Sequence, residues 1–511
     1  MRRTVNRTMP HELERDSRPA RDSLFISCTA TALACFVPLL AISSQSFWID
    51  EALTGFKAAQ PSLADWWRQM SAEKLSDLQM PLYMLYAWGW AKLFGTGEWA
   101  LRAANLPWFI GGVLAFAFSF RGTSRLFAAL VATLSSFAWF YLDEARPYAM
   151  QLAASLLIVA SLRRLAAPEA TGGKQTRWAW AFCAGIGLLA GTSLLGVFWC
   201  GAALATLGVV VGFGRAISLA KSVRCAWLAL GVWLLCLAAY YTWTLKVGAR
   251  ASAMATTNWQ SAFFIGYELL GFSGLGPGRL EIRDAGLGAF RPHLLPLAFY
   301  GACLAALVVL GVVSLYRRNR RMLFSSGIVV LGTLAVLLAA GWVWHFRLLG
   351  RHCAPAFVVV VSLLVAGGAE AWQRRSLWPR IILCAFLLAA LGSCLSARFA
   401  TRHRKDDYRA AVAFAQAVLR AGDSVWWSAD LHGAEFYGLP ISETPESRTA
   451  KALWIANPTA ESLAGLALPN VAVCSKPDLY DVGGALAERL VREHFRPVGR
   501  FTAFTVWARP P

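Results

Sequence analysis

The chain has 511 residues, 57% hydrophobic and only 15% charged, with 13% aromatics and 23 Trp, a balance that excludes an ordinary water-soluble domain. Its net charge of +20 does not mark a nucleic-acid binder, because the basic residues fall in short clusters between apolar runs, where the positive-inside rule accounts for them. Most of the 11 Cys lie inside those runs, so no disulfide framework is expected, and the composition describes a polytopic membrane protein.

Residues 1–23, with Arg2, Arg3, Arg7, Arg15, Arg18 and Arg21, read as a cytoplasmic basic tail. The run 24–44 is too long for a signal-peptide core and lacks a small-residue cleavage site, so it reads as a retained span. Two adjacent acids, Asp50 and Glu51, emerge on its far side. The run 81–95 is laced with Tyr and Trp, and a helix of about 14 residues would reach only ~21 Å against a ~30 Å hydrocarbon core, so it reads as interfacial.

Leaving that run out of the count places Arg121/Arg125, Arg163/Arg164, Arg215/Lys221/Arg224, Arg317/Arg318 and Arg374/Arg375 inside; counting it would move all of them outside. The first choice gives about eleven transmembrane helices with the C-terminus outside. They are read at 24–44, 101–119, 126–142, 147–162, 178–194, 196–213, 226–245, 294–315, 323–341, 354–371 and 380–397. The fold class expected is an all-α polytopic membrane domain, residues 24–397, followed by a small extracytoplasmic α/β domain at 398–511. In that last part short apolar runs near 424–427, 452–455, 471–474 and 501–508 alternate with helical stretches, including one at about 480–493. Gly483-Gly484 is isolated, and no glycine-rich phosphate fingerprint accompanies the strands.

This topology gathers the unusual residues on the outer face. They fall in the first outer loop at 45–100 and in the turn Asp143-Glu144-Ala145-Arg146-Pro147-Tyr148. More follow in a glycine-punctuated loop at 246–293, which reads as mobile, either a lid or a plain flexible connector, and in 342–352 with Arg347, Arg351 and His352. A plain account of Asp50 and Glu51 is that acids suit a helix N-terminus. Three such boundaries on one face argue for more, since ionisable residues at membrane depth are costly. Guanidinium groups fork onto phosphate oxygens, and a carboxylate takes a proton from an attacking hydroxyl. His345 and His352 match no metal-binding spacing.

The ordered set Trp48-Ile49-Asp50-Glu51-Ala52, Gln79-Met80-Pro81-Leu82-Tyr83, Glu98-Trp99-Ala100-Leu101-Arg102 and Glu144-Ala145-Arg146-Pro147-Tyr148-Ala149 resembles the GT-C glycosyltransferases. It resembles in particular the branch related to protein mannosyltransferases and aminoarabinose lipid A transferases. The resemblance implies a multi-pass enzyme of the bacterial inner membrane, with its C-terminal domain in the periplasm. It would pass a sugar from a polyprenyl-phosphate donor to an acceptor hydroxyl of a glycolipid, polysaccharide or protein, with inversion. The family's catalytic base maps onto Asp50, with Glu51 beside it, and its second acidic site onto Asp143 and Glu144. Arg146, Tyr148, Arg347 and Arg351 are the candidate contacts to donor phosphate or substrate. No cofactor is required; a divalent cation on Asp50, Glu51 and Glu144 is the candidate metal. Where relatives often carry a charged residue before Pro-Pro, this chain has Gln79-Met80-Pro81, so no contact is carried over to Gln79. The rival readings are a lipid-linked sugar flippase or secondary transporter, and a non-catalytic assembly factor. No inverted repeat between the halves supports the transporter.

Overall fold

The computed structural model describes residues 20–167, 173–248, 257–442 and 451–509. The basic tail up to residue 19 and residues 249–256 of the lid-like loop lie outside the described residues.

Long apolar helices dominate residues 20–399, as they must where lipid offers the backbone no hydrogen-bond partner. Among the described residues seven helices are long and apolar enough to cross a membrane, or up to nine if each of two bent pairs is one span. The chain is therefore a multi-pass membrane protein. The count read from the sequence differs for two reasons. The helix Gly173–Thr192 covers the run at 178–194 but is not among those seven. The runs at 294–315 and 323–341 share one helix, Leu294–Val343, whose second apolar part, Gly327–Val343, is short. The first span changes from an α-helix, Ala20–Phe36, to a 3₁₀ turn, Val37–Ala41, where Pro38 removes a backbone donor.

The segment expected as the first outer loop folds into helices Ile49–Ala58, Leu63–Glu73 and Pro81–Phe94. The last has the 14 residues expected of the run at 81–95, and its aromatic groups are tied down: Tyr86 Oη donates to the Ala104 carbonyl at 2.9 Å and Trp90 Nε1 to that of Ala100 at 2.8 Å. Proline at its first turn lacks the donor that a helix start leaves unused anyway.

The lid-like loop is folded, with helices Trp259–Leu269 and Arg279–Ala285 and a 3₁₀ turn Gly286–His293. Its glycines bring it against the end of the last span: a Cβ on Gly274 would lie 2.0 Å from the Ser393 carbonyl oxygen, and one on Gly278 1.8 Å from that of Arg402. The spacing of these glycines reflects close packing as much as mobility.

The C-terminal domain holds strands β1 (Val425–Ser428), β2 (Ala452–Trp454), β3 (Val471–Ser475), β4 (Arg496–Phe501) and β5 (Phe504–Ala508). They form one sheet in the order β2-β1-β3-β5-β4, parallel from β2 to β3, with β5 antiparallel to both β3 and β4. Adjacent tryptophans on β1 face opposite layers. Trp427 packs with Tyr408, Val412 and Ala434 of the helices Tyr408–Arg420 and Leu431–Phe436. Trp426 packs with Leu463, Leu486 and Leu490 of the helices Ala460–Ala464 and Ala485–Arg492. The helix expected over 480–493 is broken into Pro477–Tyr480 and Ala485–Arg492, because Gly484 turns through φ 71° between them.

This domain seats directly on the helix Ile49–Ala58. Phe436 lies so close to Gly55 that a Cβ there would meet its ring at 2.7 Å. Tyr437 Oη accepts from the Phe47 amide at 2.8 Å and donates to Glu98 at 3.0 Å, and His432 Nε2 meets Glu73 at 3.2 Å.

Candidate active site

Trp48, in extended conformation, starts the helix Ile49–Ala58, which puts Asp50 and Glu51 in its first turn. The macrodipole favours both there, yet the two carboxylates turn to different surroundings.

Glu51 is fully buried. Arg102 holds it in a fork, Nε to Oε1 at 2.8 Å and Nη2 to Oε2 at 2.7 Å, while the Ala145 amide donates at 2.9 Å and Lys405 Nζ at 3.1 Å. Burial alone would raise its pKa, but Arg102 and Lys405 outweigh that and bring it to about 2. Asp143 belongs to the same knot: it accepts from the amide and hydroxyl of Ser43 at 2.6 and 2.8 Å and lies 3.6 Å from Lys405 Nζ. A second buried network runs alongside. Arg146 Nη1 donates to Asp77 at 2.6 Å, Lys57 Nζ to the other Asp77 oxygen at 2.7 Å, and Lys57 also reaches Glu73 at 2.7 Å. Burial opposes the charge on Asp77, yet Lys57 and Arg146 hold its carboxyl well below the usual range. Arg146 is thus spent on Asp77, and Glu51 and Asp143 on Arg102, Lys405 and Ser43.

Asp50 is different. Its side chain is 23% exposed, Oδ2 takes one hydrogen bond from Arg351 Nη1 at 3.0 Å, and among the described residues its other oxygen has no partner. The Arg351 guanidinium lies 5.9 Å from the Trp48 ring centre and 5.6 Å from that of Tyr148, which is buried beneath it. Glu144 is fully buried with both oxygens unpartnered, its nearest cation being Arg279 Nη1 at 3.8 Å. Burial pushes its pKa up to about 7 in spite of Arg279, Lys405 and Arg351. Arg279 is braced by Glu268 at 2.9 Å and lies 4.0 Å from the Phe140 ring centre. Arg347 completes the cluster: partial desolvation and the like charges of Arg283, Arg351 and Arg279 hold it below its ordinary range. Four guanidinium groups thus share one neighbourhood, with Asp50, Glu268, Glu144 and Asp478 as the carboxylates nearest to them; guanidinium groups so gathered can fork onto a phosphate. Beside them lies a small, open cleft walled by Phe137, Phe140, Tyr141, Phe264 and Tyr267, with Arg279 at its edge.

The structure therefore brings Asp50, Glu144, Tyr148, Arg347 and Arg351 into one neighbourhood and engages Glu51, Asp143 and Arg146 in buried pairs beside it. The donor set suggested for a cation does not fit one. Glu51 already receives four donated hydrogen bonds, Asp50 turns to Arg351 and Glu144 to Arg279, and no group of three metal-ligating side chains forms among the described residues. Neither histidine supplies a ligand pair: His352 Nδ1 accepts from the Leu349 amide at 3.1 Å, and His345 is exposed. Lys405 and Asp77 are the members that sequence reasoning did not single out, while Arg102 stood in the ordered motif set and Arg279 in the loop at 246–293 without an assigned role. Basic residues placed outside, against the positive-inside trend, were the available signal.

Comparison with solved structures shows the same fold, a polytopic helical domain followed by an α/β domain. The apo crystal structure of ArnT from Cupriavidus metallidurans is similar over 95% of this chain and 98% of that one, with a TM-score of 0.51 and 14% identity. ArnT bound to undecaprenyl phosphate overlays with a TM-score of 0.48 at 16% identity, covering 96% and 100% of the two chains. The oligosaccharyltransferase AglB from Archaeoglobus fulgidus, in complex with an inhibitory peptide and a dolichol-phosphate, overlays at 0.42 and 11%, covering 84% and 60%. No protein-family model and no curated protein sequence matches the chain.

Proposed function

We propose that the protein is a glycosyltransferase of the outer face of a bacterial inner membrane, moving a sugar from a polyprenyl-phosphate donor to an acceptor hydroxyl with inversion. The observation that carries this reading is the contrast at Asp50: among the acids of the expected set it is the one that combines solvent access with an unengaged oxygen, and it stands beside a cluster of guanidinium groups.

In the proposed step Asp50 takes the proton as the acceptor O–H bond breaks. The oxygen forms a new bond to the anomeric carbon, and the bond from that carbon to the phosphate oxygen breaks, its electron pair leaving with the polyprenyl phosphate. Arg351 and Arg279, with Arg347 and Arg283 near them, stabilise the charge that develops on the phosphate. The aromatic cleft beside Arg279 takes the first prenyl units, and Tyr148 supports Arg351 from below. Glu51, Asp143 and Arg146 act as positioning residues: their buried pairs hold the helix of Asp50 against the second outer turn. A polyprenyl phosphate leaving group needs no nucleotide.

The test is to incubate the purified chain in nanodiscs with extracted lipid-linked sugars and follow free polyprenyl phosphate by mass spectrometry, beside Asp50→Asn. Release by the wild type alone is expected. Intact lipid-linked sugar moved across vesicles, with no release, would replace the transferase by a transporter.

A further inference from the structure

The helix Tyr148–Ala166 begins at the candidate site, where Tyr148 lies beside Arg351, and it ends in Arg163 and Arg164. It is one of the helices long and apolar enough to cross a membrane, and from Tyr148 to Arg163 it rises about 22 Å. The two arginines therefore stand at the end of a span remote from Asp50. Three guanidinium groups converge there on the short turn between the helices Asn105–Phe118 and Thr123–Thr133. That of Arg163 lies 3.6 Å from the ring centre of Phe120, and that of Arg125 lies 4.6 Å from that of Phe118. Arg164 Nη2 donates to the Phe118 carbonyl at 2.6 Å, while Arg125 donates to the Phe120 carbonyl at 3.4 Å and to the hydroxyl of Ser27 on the first span.

The acceptors on this turn are neutral. Among the described residues no carboxylate pairs with Arg125 or Arg163, and the Nε of each is closed off from solvent without a hydrogen-bond partner. Arg163 has its ring contact with Phe120 and no acceptor at all among those residues. The positive-inside trend accounts for basic side chains that reach out to water; it does not account for a guanidinium laid against an aromatic ring with its Nε shut in. Buried donors are almost always satisfied, and a guanidinium presents Nε and Nη together to a phosphate.

We propose that this turn is a binding site for a phosphate group, supplied by an anionic phospholipid of the leaflet opposite to Asp50. Basic pockets between membrane helices at this depth suit anionic headgroups. Trp178, 6.0 Å from Arg164, is a residue type that favours the headgroup level, and Phe118, 36% exposed, offers the first methylenes an apolar surface. A zwitterionic headgroup brings its own cation, which the arginines repel, so a headgroup of net negative charge is preferred.

The test places the full chain in phosphatidylcholine nanodiscs with a minor fraction of phosphatidylglycerol and follows lipid retention by native mass spectrometry. The wild type should retain phosphatidylglycerol over phosphatidylcholine. Arg163→Gln should weaken that retention about tenfold, and Arg163→Lys, which keeps the charge and loses the fork, about threefold. Thermal midpoints of all three in pure phosphatidylcholine should coincide, which separates binding from folding, and phosphatidylglycerol should raise that of the wild type most. Inorganic phosphate added to phosphatidylcholine nanodiscs should leave the midpoint where it is. Equal retention of the two lipids by the wild type, or retention of phosphatidylglycerol that neither variant lowers, would overturn the proposal. A midpoint raised by inorganic phosphate and not by phosphatidylglycerol would overturn the lipid as the source and assign the site to a soluble anion.

Discussion

Asp50 and Glu51 are neighbours in the chain and opposites in setting. Around Glu51 every polar atom is spoken for: a forked guanidinium, an ammonium and a backbone amide converge on two buried oxygens. Around Asp50 the accounts are open, with one guanidinium contact and a ring of unsatisfied atoms on Trp48, Arg351 and Glu144. The closed region holds segments together, and in the proposed reading the open one meets substrate. On that reading equal charges one residue apart serve architecture and chemistry, and what separates them is which face of one helix turn each occupies.

Removing a partner from the closed region gives the largest effect. Glu51→Ala removes the forked partner of a buried Arg102 and leaves Asp143, at 3.8 Å, as the nearest countercharge; losing one partner of a buried pair costs about 3–5 kcal/mol, so the chain should lose its monodisperse profile in detergent or show a much lower thermal midpoint. A Glu51→Ala variant as stable as wild type would erase the distinction between the two regions. In the open region Asp50→Asn should leave the thermal midpoint alone and lower turnover at least about a hundredfold, measured as polyprenyl phosphate release at saturating donor. Arg351→Lys keeps the charge but not the fork, and about a tenfold loss in kcat/KM is expected.

The smallest effect is in the pH dependence of stability. Glu51 titrates at about 2 in the folded chain against an ordinary 4.5, so its contribution is full above pH 4.5 and lost as pH falls toward 2. Glu144 is shifted the other way, from 4.5 to about 7. The folded state prefers its proton, so that contribution is full below pH 4.5 and lost as pH rises to 7. Glu144→Gln, neutral throughout, should therefore gain in thermal midpoint over the wild type between pH 5 and pH 8. A difference independent of pH would place Glu144 with the closed region.

The membrane domain was legible because apolar runs and basic clusters obey simple physics, and Asp50 because an acidic pair at a membrane boundary is rare. Which acid is free was not legible. The groups that saturate Glu51 come from Arg102 and Lys405, 51 and 354 positions away, and no local pattern announces such pairings. Strand β4 escaped because Pro497 and Gly499 make it a poor strand former, tolerated at a sheet edge with a bulge.

The seam between Gly55 and Phe436 has a practical consequence for taking the protein apart. A methyl group does not fit there, Tyr437 bonds both Phe47 and Glu98 across it, and Lys405 of the connecting segment ends in the Glu51 knot. The roof is therefore not a detachable module. A protease that nicks the connection near residues 400–407 should leave two fragments that co-purify, and the isolated segment 408–509 should expose Phe436 and Tyr437 and aggregate when expressed alone.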